Sequence, residues 1–316
     1  MRLEGAVVVV TGASSGIGRE TALALAARGA RLLLAARRAA ELEETALDCR
    51  ARGGECGTFP CDVSDREQVL ALARVAVETY GRIDAWVNNA GIYAMATVRE
   101  MPDEAIRRVM DVNFFGVVHG TRAALPHLAL TNGVLVNVSS ALGRMSGPYV
   151  SAYAASKHAV RAFTESVRDE TRSEGISVTT VYPPAIDTPL FRHSANYTGR
   201  EIKPANPVFA PDRVARAIVS AIEKPRREIL VAATKVMSAF HTLLPGLFER
   251  FMTRQMERDH FGDNAAPDTD GNIHSPMHDG SRSDGGYLAK KRLAAARAFK
   301  LAGAMPAIVR QTLAPA

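Results

Sequence analysis

The sequence predicts an α/β fold built on a doubly wound, mostly parallel sheet with helices on both faces. Three observations carry that reading. Short apolar or β-branched runs at 6–10, 31–35, 85–87, 133–138 and 176–182 alternate with longer segments of helical character. A glycine-rich turn, TGASSGIG at 11–18, stands between the first of those runs and the first helical segment. The chain has 316 residues, 47% of them hydrophobic, enough to bury a large core as one extended α/β domain or one domain with an appendage.

Within the turn, Gly12 allows a tight bend, Gly16 lets the backbone approach a pyrophosphate, and Gly18 permits close helix–strand packing. Ser14, Ser15 and Ile17 fill the loop between them and join the candidate cofactor residues. The free N–H groups of the following helix face any bound phosphate. The second strand, 31–35, ends in Ala36, Arg37 and Arg38. A site for NAD needs a carboxylate there for the ribose 2′-hydroxyl, whereas the 2′-phosphate of NADP needs positive charge. The missing acid and the two guanidinium groups favour NADP(H).

The stretch 140–157 carries the candidate chemistry. Ser140 follows the apolar run 134–138, at the C-terminal end of a buried strand, where open α/β sheets place ligands. Tyr153 and Lys157 are four apart, so on a helix they share a face one turn apart. A phenol ionises near pH ~10, and a neighbouring ammonium is expected to lower that value. Alone, such a pair also arises as a half-buried tyrosine beside a solvated lysine.

The glycine spacing G-x-x-x-G-x-G, then Asn88-Asn89-Ala90-Gly91, Asn113, Ser140, Tyr153 and Lys157 stand together in one order. In that order the sequence resembles the short-chain dehydrogenases/reductases over roughly residues 3–231. The resemblance implies a Rossmann-like, seven-stranded sheet of order 3-2-1-4-5-6-7. It also implies a catalytic set of Asn113, Ser140, Tyr153 and Lys157, with Asn113 at a helix distortion that supports a proton-relay water. Lys157 would hold the cofactor ribose as well, and Asp62 and Val63 would meet the adenine. Asn89, Ala90 and Gly91 would line its ribose side, and Pro183, Ile186 and Thr188 would face the nicotinamide. The implied reaction interconverts a carbonyl and an alcohol, and the implied assembly is a homodimer or homotetramer. Pro184 departs from the family, which usually has glycine there. Proline fixes φ and lacks an N–H, so this turn must be one that needs neither positive φ nor that donor.

The remaining elements follow from periodicity and punctuation. Helices are expected at 41–52, ended by Gly53 and Gly54, and at 66–80, ended by Gly81. A long helical pattern covers 102–130, with Pro102 near its first position. Further helices are expected at 151–173 and 211–224, and a last strand at 228–231. Substrate specificity is expected in 141–150 and 188–210, where Leu142, Met145, Tyr149, Leu190, Phe191 and Tyr197 suggest an apolar substrate.

The chain is expected to divide into a Rossmann-fold catalytic domain at 1–231 and a helical and partly flexible extension at 232–316. Val236, Phe240, Leu243, Leu244, Leu247, Phe248 and Phe251 read as one apolar face, broken at Pro245-Gly246. A membrane-surface helix is the sharper reading; a lid over the pocket or a subunit contact is the favoured one. Residues 262–287, rich in Gly, Asp, Ser and Asn, read as a flexible loop, and 289–304 as a basic helix.

Composition excludes other classes. The net charge is +6, with one local basic run at Lys290, Lys291 and Arg292, which argues for a solvated surface rather than nucleic-acid binding. The first apolar run is too short for a signal peptide, and no stretch approaches ~20 apolar residues. Cys49, Cys56 and Cys61 lack Cys-x-x-Cys spacing, so reduced thiols in the cytoplasm and no metal site are expected. The expected function is that of an NADP(H)-dependent oxidoreductase that interconverts a ketone or aldehyde with an alcohol on an apolar or bulky small-molecule substrate. A non-catalytic NADP(H)-binding sensor or scaffold, or a membrane-peripheral protein organised by its tail, are the alternatives.

Overall fold

The structure is a computed structural model that describes residues 1–278, 280 and 282–289. Seven strands form the central sheet: β1 (Val7–Thr11), β2 (Arg31–Ala36), β3 (Glu55–Pro60), β4 (Ala85–Asn88), β5 (Val134–Val138), β6 (Ser177–Tyr182) and β7 (Glu228–Leu230). Their spatial order is β3-β2-β1-β4-β5-β6-β7, and every pairing is parallel. The expected order is therefore met. Strands buried on both faces need no polar alternation, which explains the continuous apolar runs of β1 and β2.

Side chains still alternate between the two faces. Val7, Val9, Leu33 and Ala35 enter one core, against helices α3 (Arg66–Tyr80), α4 (Asp103–Met110), α5 (Gly116–Thr131) and α6 (Ser151–Glu170). Val8, Val10, Leu32 and Leu34 enter the other, against α1 (Gly16–Ala26), α2 (Ala39–Ala51) and α7 (Asp212–Glu223). Helix boundaries follow local chemistry. The Asp65 side chain accepts the N–H groups of Glu67 and Gln68 at the start of α3, and Gly81 ends that helix at φ 81°.

The long pattern at 102–130 is not one helix. Pro102 stands just before α4, and Asp111–Phe115 form a π turn that separates α4 from α5. The Asn113 amide grips both backbone groups of Ile92, with Ile92 N–H donating to Oδ1 at 2.8 Å and Nδ2 donating to the Ile92 carbonyl at 3.0 Å. A side chain tied sideways in this way holds the extra residue of the turn, the kind of distortion that clusters at functional sites.

The extension begins with α8 (Thr234–Leu243) and α9 (Pro245–Asp259), after which Phe261–Ala265 pairs antiparallel with Arg200–Ile202. The single apolar face expected across both helices does not form. Leu244 adopts φ −136°, ψ 61° between them, so the helical phase resets at Pro245. Phe248, Met252 and Met256 are buried, while Val236, Leu243, Leu244, Leu247 and Phe251 are exposed. At 272–278 and 282–287, the stretch expected as a flexible loop is hydrogen-bonded to residues at the C-terminal ends of the sheet strands. The expected basic helix at 289–304 lies, apart from its first residue, outside the described residues.

A buried polar ladder ties the sheet to α5 and α6. Trp86 Nε1 donates to Asn88 Oδ1 at 2.7 Å, Asn88 Nδ2 to Asn137 Oδ1 at 2.9 Å, and Asn137 Nδ2 to Thr164 Oγ1 at 2.9 Å. Low surrounding dielectric strengthens such bonds and penalises any orphaned member. Asn137→Leu should therefore lower stability by about 2 kcal/mol. The check is a lower urea midpoint at unchanged m; an unaltered midpoint would refute the ladder's role.

Candidate active site

The C-terminal ends of β1, β4, β5 and β6 open on one cleft, with a cavity of about 330 Å³. Ligand pockets begin near ~300 Å³. Of the residues predicted for catalysis and cofactor binding, all but Gly18 and Asn113 line it. Gly18 lies beneath the glycine turn, where a Cβ would stand 2.2 Å from the Gly12 carbonyl oxygen, so only glycine fits. Gly12 itself has φ +67° and packs against Ala90, joining the turn after β1 to the turn after β4. Asn113 is buried beside Gly91, whose added Cβ would stand 3.2 Å from Asn113 Oδ1 and 3.6 Å from Lys157 Nζ.

Three polar side chains meet at the other end of the cleft. Ser140, just after β5, accepts the Leu142 N–H at Oγ (3.1 Å), leaving its hydroxyl hydrogen to point elsewhere. Tyr153 and Lys157 occupy one face of α6, as their spacing predicts, and both are buried. Lys157 Nζ donates to the Val138 carbonyl at 3.1 Å and lies 5.7 Å from the Tyr153 ring centroid.

The expected lowering of the Tyr153 pKa by Lys157 does not appear. Burial pushes the phenol up to about 12, opposed by a hydrogen bond from Ser140, and burial pulls Lys157 down to about 8. Desolvation disfavours both charged forms, and the ammonium is turned to a carbonyl rather than to the phenol.

The cofactor-type residues show two further differences. The Asp62 carboxylate accepts from Ser64 and pairs with Arg108 at 2.5 Å. Arg37 donates to the carbonyls of Asn272, Ile273 and His274, and Arg38 to Ser14 Oγ and the Met277 carbonyl. The turn containing Pro183 and Pro184 has no residue at positive φ, so proline is compatible there.

Leu142, Met145, Leu190 and Phe191 line the cleft as expected; Tyr149 and Tyr197 do not, and their hydroxyls bond Glu257 and Asp270. Unforeseen members come from the extension. Met252, Met256 and His260 line the cleft, and His260 Nε2 meets the Tyr93 hydroxyl at 2.8 Å. Tyr93 stacks edge-on against Tyr153 with centroids 4.7 Å apart. Burial pulls the His260 pKa to about 4, so the ring is neutral, and its tautomer decides whether Nε2 accepts the hydrogen bond from the Tyr93 hydroxyl or donates it. The spacing 248, 252, 256, 260 was the available signal: one row of a helix.

Fold and cleft together define a doubly wound α/β protein with its ligand site at the strand ends. A sequence model of the family described as short chain dehydrogenase matches residues 6–197. The chain is 36% identical over 263 residues to the uncharacterized oxidoreductase YxnA of Bacillus subtilis, spanning 81% of this chain and 73% of that protein. It is 35% identical over 271 residues to dehydrogenase/reductase SDR family member 7B of Bos taurus, spanning 81% and 83%. A solved alcohol dehydrogenase from the archaeon Thermococcus sibiricus, complexed with 5-hydroxy-NADP, superposes with TM-score 0.64 at 30% identity, covering 71% of this chain and 95% of that one. The chain belongs to the short-chain dehydrogenase family, whose members bind nicotinamide cofactors, and it is an oxidoreductase of that type. Among the described residues, no helix is long and apolar enough to cross a membrane, and no cluster of metal-ligating side chains occurs.

The depressed Lys157 pKa has a measurable consequence. Between about pH 8 and 10 the unfolded chain keeps the lysine proton that the folded protein releases, so this residue makes stability rise with pH there. Lys157→Met should flatten that rise in urea midpoints taken across the window. Coincident slopes for the two proteins would show that the ammonium is not desolvated.

Proposed function

We propose that the chain is an NADP(H)-dependent oxidoreductase that interconverts an apolar ketone or aldehyde with its alcohol. The observation that carries this reading is one continuous cleft, lined by Arg37 and Arg38 at one end and by Ser140, Tyr153 and Lys157 at the other. A dinucleotide fits the residues present. Gly12, Gly16 and Gly91 line the cleft with no side chain to intrude on it, Lys157 lines it beside them, and the end of β2 carries no carboxylate.

When bound, the nicotinamide supplies or accepts the hydride. Ser140 directs its hydroxyl hydrogen at the substrate oxygen, steadying negative charge as it develops there. Tyr153 gives its proton to that oxygen in reduction and removes it in oxidation. At a pKa pushed up to about 12 the phenol is held protonated, the form reduction needs. Lys157, protonated below about pH 8, donates toward the ribose and favours the phenolate once the proton has left. Both ends of the Asn113 amide are engaged, its Nδ2 also reaching Ser156 Oγ at 3.1 Å, so its side chain holds the π turn in place beside Gly91 and Lys157.

An apolar substrate is supported by Leu142, Met145, Leu190, Phe191, Met252 and Met256 around Tyr153. Methionine side chains adapt to irregular apolar shapes. A cytoplasmic homodimer or homotetramer is the assembly that accompanies this reading.

The test is loss of the reduced-nicotinamide absorbance with a panel of hydrophobic ketones, quinones and aldehydes. NADPH should exceed NADH in kcat/KM by at least about tenfold, the scale of one well-placed charge-assisted contact. Tyr153→Phe should lower kcat by about 10²–10⁴. A preference for NADH would overturn the assignment of Arg37 and Arg38, and full activity in the Tyr153 variant would overturn the acid.

A further inference from the structure

The extension meets the cleft a second time, at its adenosine end. Arg37 gathers three successive carbonyls, Asn272 to His274, and Arg108 also donates to the Ile273 carbonyl, at 2.8 Å. Farther along, the Gly16 N–H of the glycine turn donates to the Arg282 carbonyl at 2.8 Å. The buried Asp187 carboxylate, in the turn after β6, accepts the N–H groups of Gly285, Tyr287 and Leu288 at 2.9–3.0 Å. The strap thus bridges the ends of β2, β1 and β6, the two sides of the crevice.

It roofs the cleft instead of filling it. Asn272, Pro276 and Met277 line the same cavity as Gly12, Ser15 and Asn89, with the open volume between them. One polar atom of the strap is left over. Asn272 Oδ1 is buried and accepts no hydrogen bond, although buried acceptors are nearly always satisfied. A bound adenosine offers donors of the right kind, an amino group and ribose hydroxyls.

We propose that the segment formed by residues 272–278 and 282–288 is a cofactor-binding element that closes over the adenosine half of the dinucleotide, with Asn272 as an acceptor for it, and must lift for exchange. This rests on the cleft being a dinucleotide site. The rim contacts are made by backbone groups, so release of the cofactor requires breaking several bonds together, which lengthens residence more than it alters chemistry.

Limited trypsin digestion of the full chain, with and without NADPH, reads the strap at the exposed Arg282, with fragments identified by mass. NADPH should slow cleavage after Arg282 by at least about fivefold, as expected when ligand suppresses local opening. Faster cleavage would mean that cofactor expels the strap, and would overturn the proposal. Two full-chain variants test it by stopped-flow release of NADPH, followed by nicotinamide fluorescence. A Cβ on Gly285 would stand 2.5 Å from the Thr188 carbonyl oxygen, so Gly285→Val wedges the strap outward and should speed release about tenfold or more. Asn272→Ala should speed it about fivefold, the loss of one hydrogen bond. Release unchanged in both variants would overturn the strap's role while wild-type binding stood. Absence of NADPH and NADH binding to the unmodified chain would overturn this proposal and the dinucleotide reading together.

Discussion

Burying an ammonium and a phenol one helical turn apart is the constraint on which the rest of this structure depends. Each group loses water, and each shifts toward its neutral form, Lys157 to about 8 and Tyr153 to about 12. Such a pair is tolerable only if α6 is fixed so that every nearby dipole is aimed. The end of β5 does much of this. Val138 offers its carbonyl to Lys157 Nζ, Ser139 Oγ donates to the Lys157 carbonyl at 2.9 Å, and Asn137 reaches Thr164 one face over. The π turn completes the support through Asn113 and Ser156. The parallel sheet supplies the rigidity, because its central strands are buried on both faces and leave no room for α6 to slide.

The sheet was legible because its signals are local. A β-branched run, a glycine turn and an amphipathic helix each declare themselves within a dozen residues, and the order of motifs carried the rest. The site was legible for the same reason: Ser140, Tyr153 and Lys157 sit within one stretch, and their side chains converge as the helical spacing requires. The split at Asp111–Phe115 was foreseen only through the family resemblance, since periodicity alone reads straight across a five-residue turn.

The extension was harder to read, and the reasons are physical. At Leu244 a single non-helical residue rotates the following helix, so a face summed across the break has no structural counterpart. The strap has the composition of a free loop because its order comes from partners elsewhere in the chain. Its carbonyls are matched by Arg37, Arg38 and Arg108, and its N–H groups by Asp187. A segment stabilised by distant side chains through its backbone leaves no hydrophobic pattern to detect. The same contacts revise the reading of Arg37. A guanidinium has five N–H donors in a fixed fork, so the bonds to strap carbonyls orient the group without exhausting it.

The two parts of the extension also explain each other. Helix α9 and its C-cap place Met252, Met256 and His260 at the Tyr153 end of the cleft, and the chain then runs past Phe261–Ala265 to the strap at the Arg37 end. The ribbon with Arg200–Ile202 anchors the midpoint of that run to the segment between β6 and α7. His260 stands at the junction, its ring on Tyr93 and its backbone carbonyl accepting the Lys203 N–H at 3.0 Å. Tyr93 in turn leans on Tyr153. A displacement of the extension would therefore disturb the ring that packs against Tyr153 as well as the strap at the Arg37 end of the cleft. The extension, which adds no strand to the central sheet, thus lines both ends of the cleft that the sheet creates.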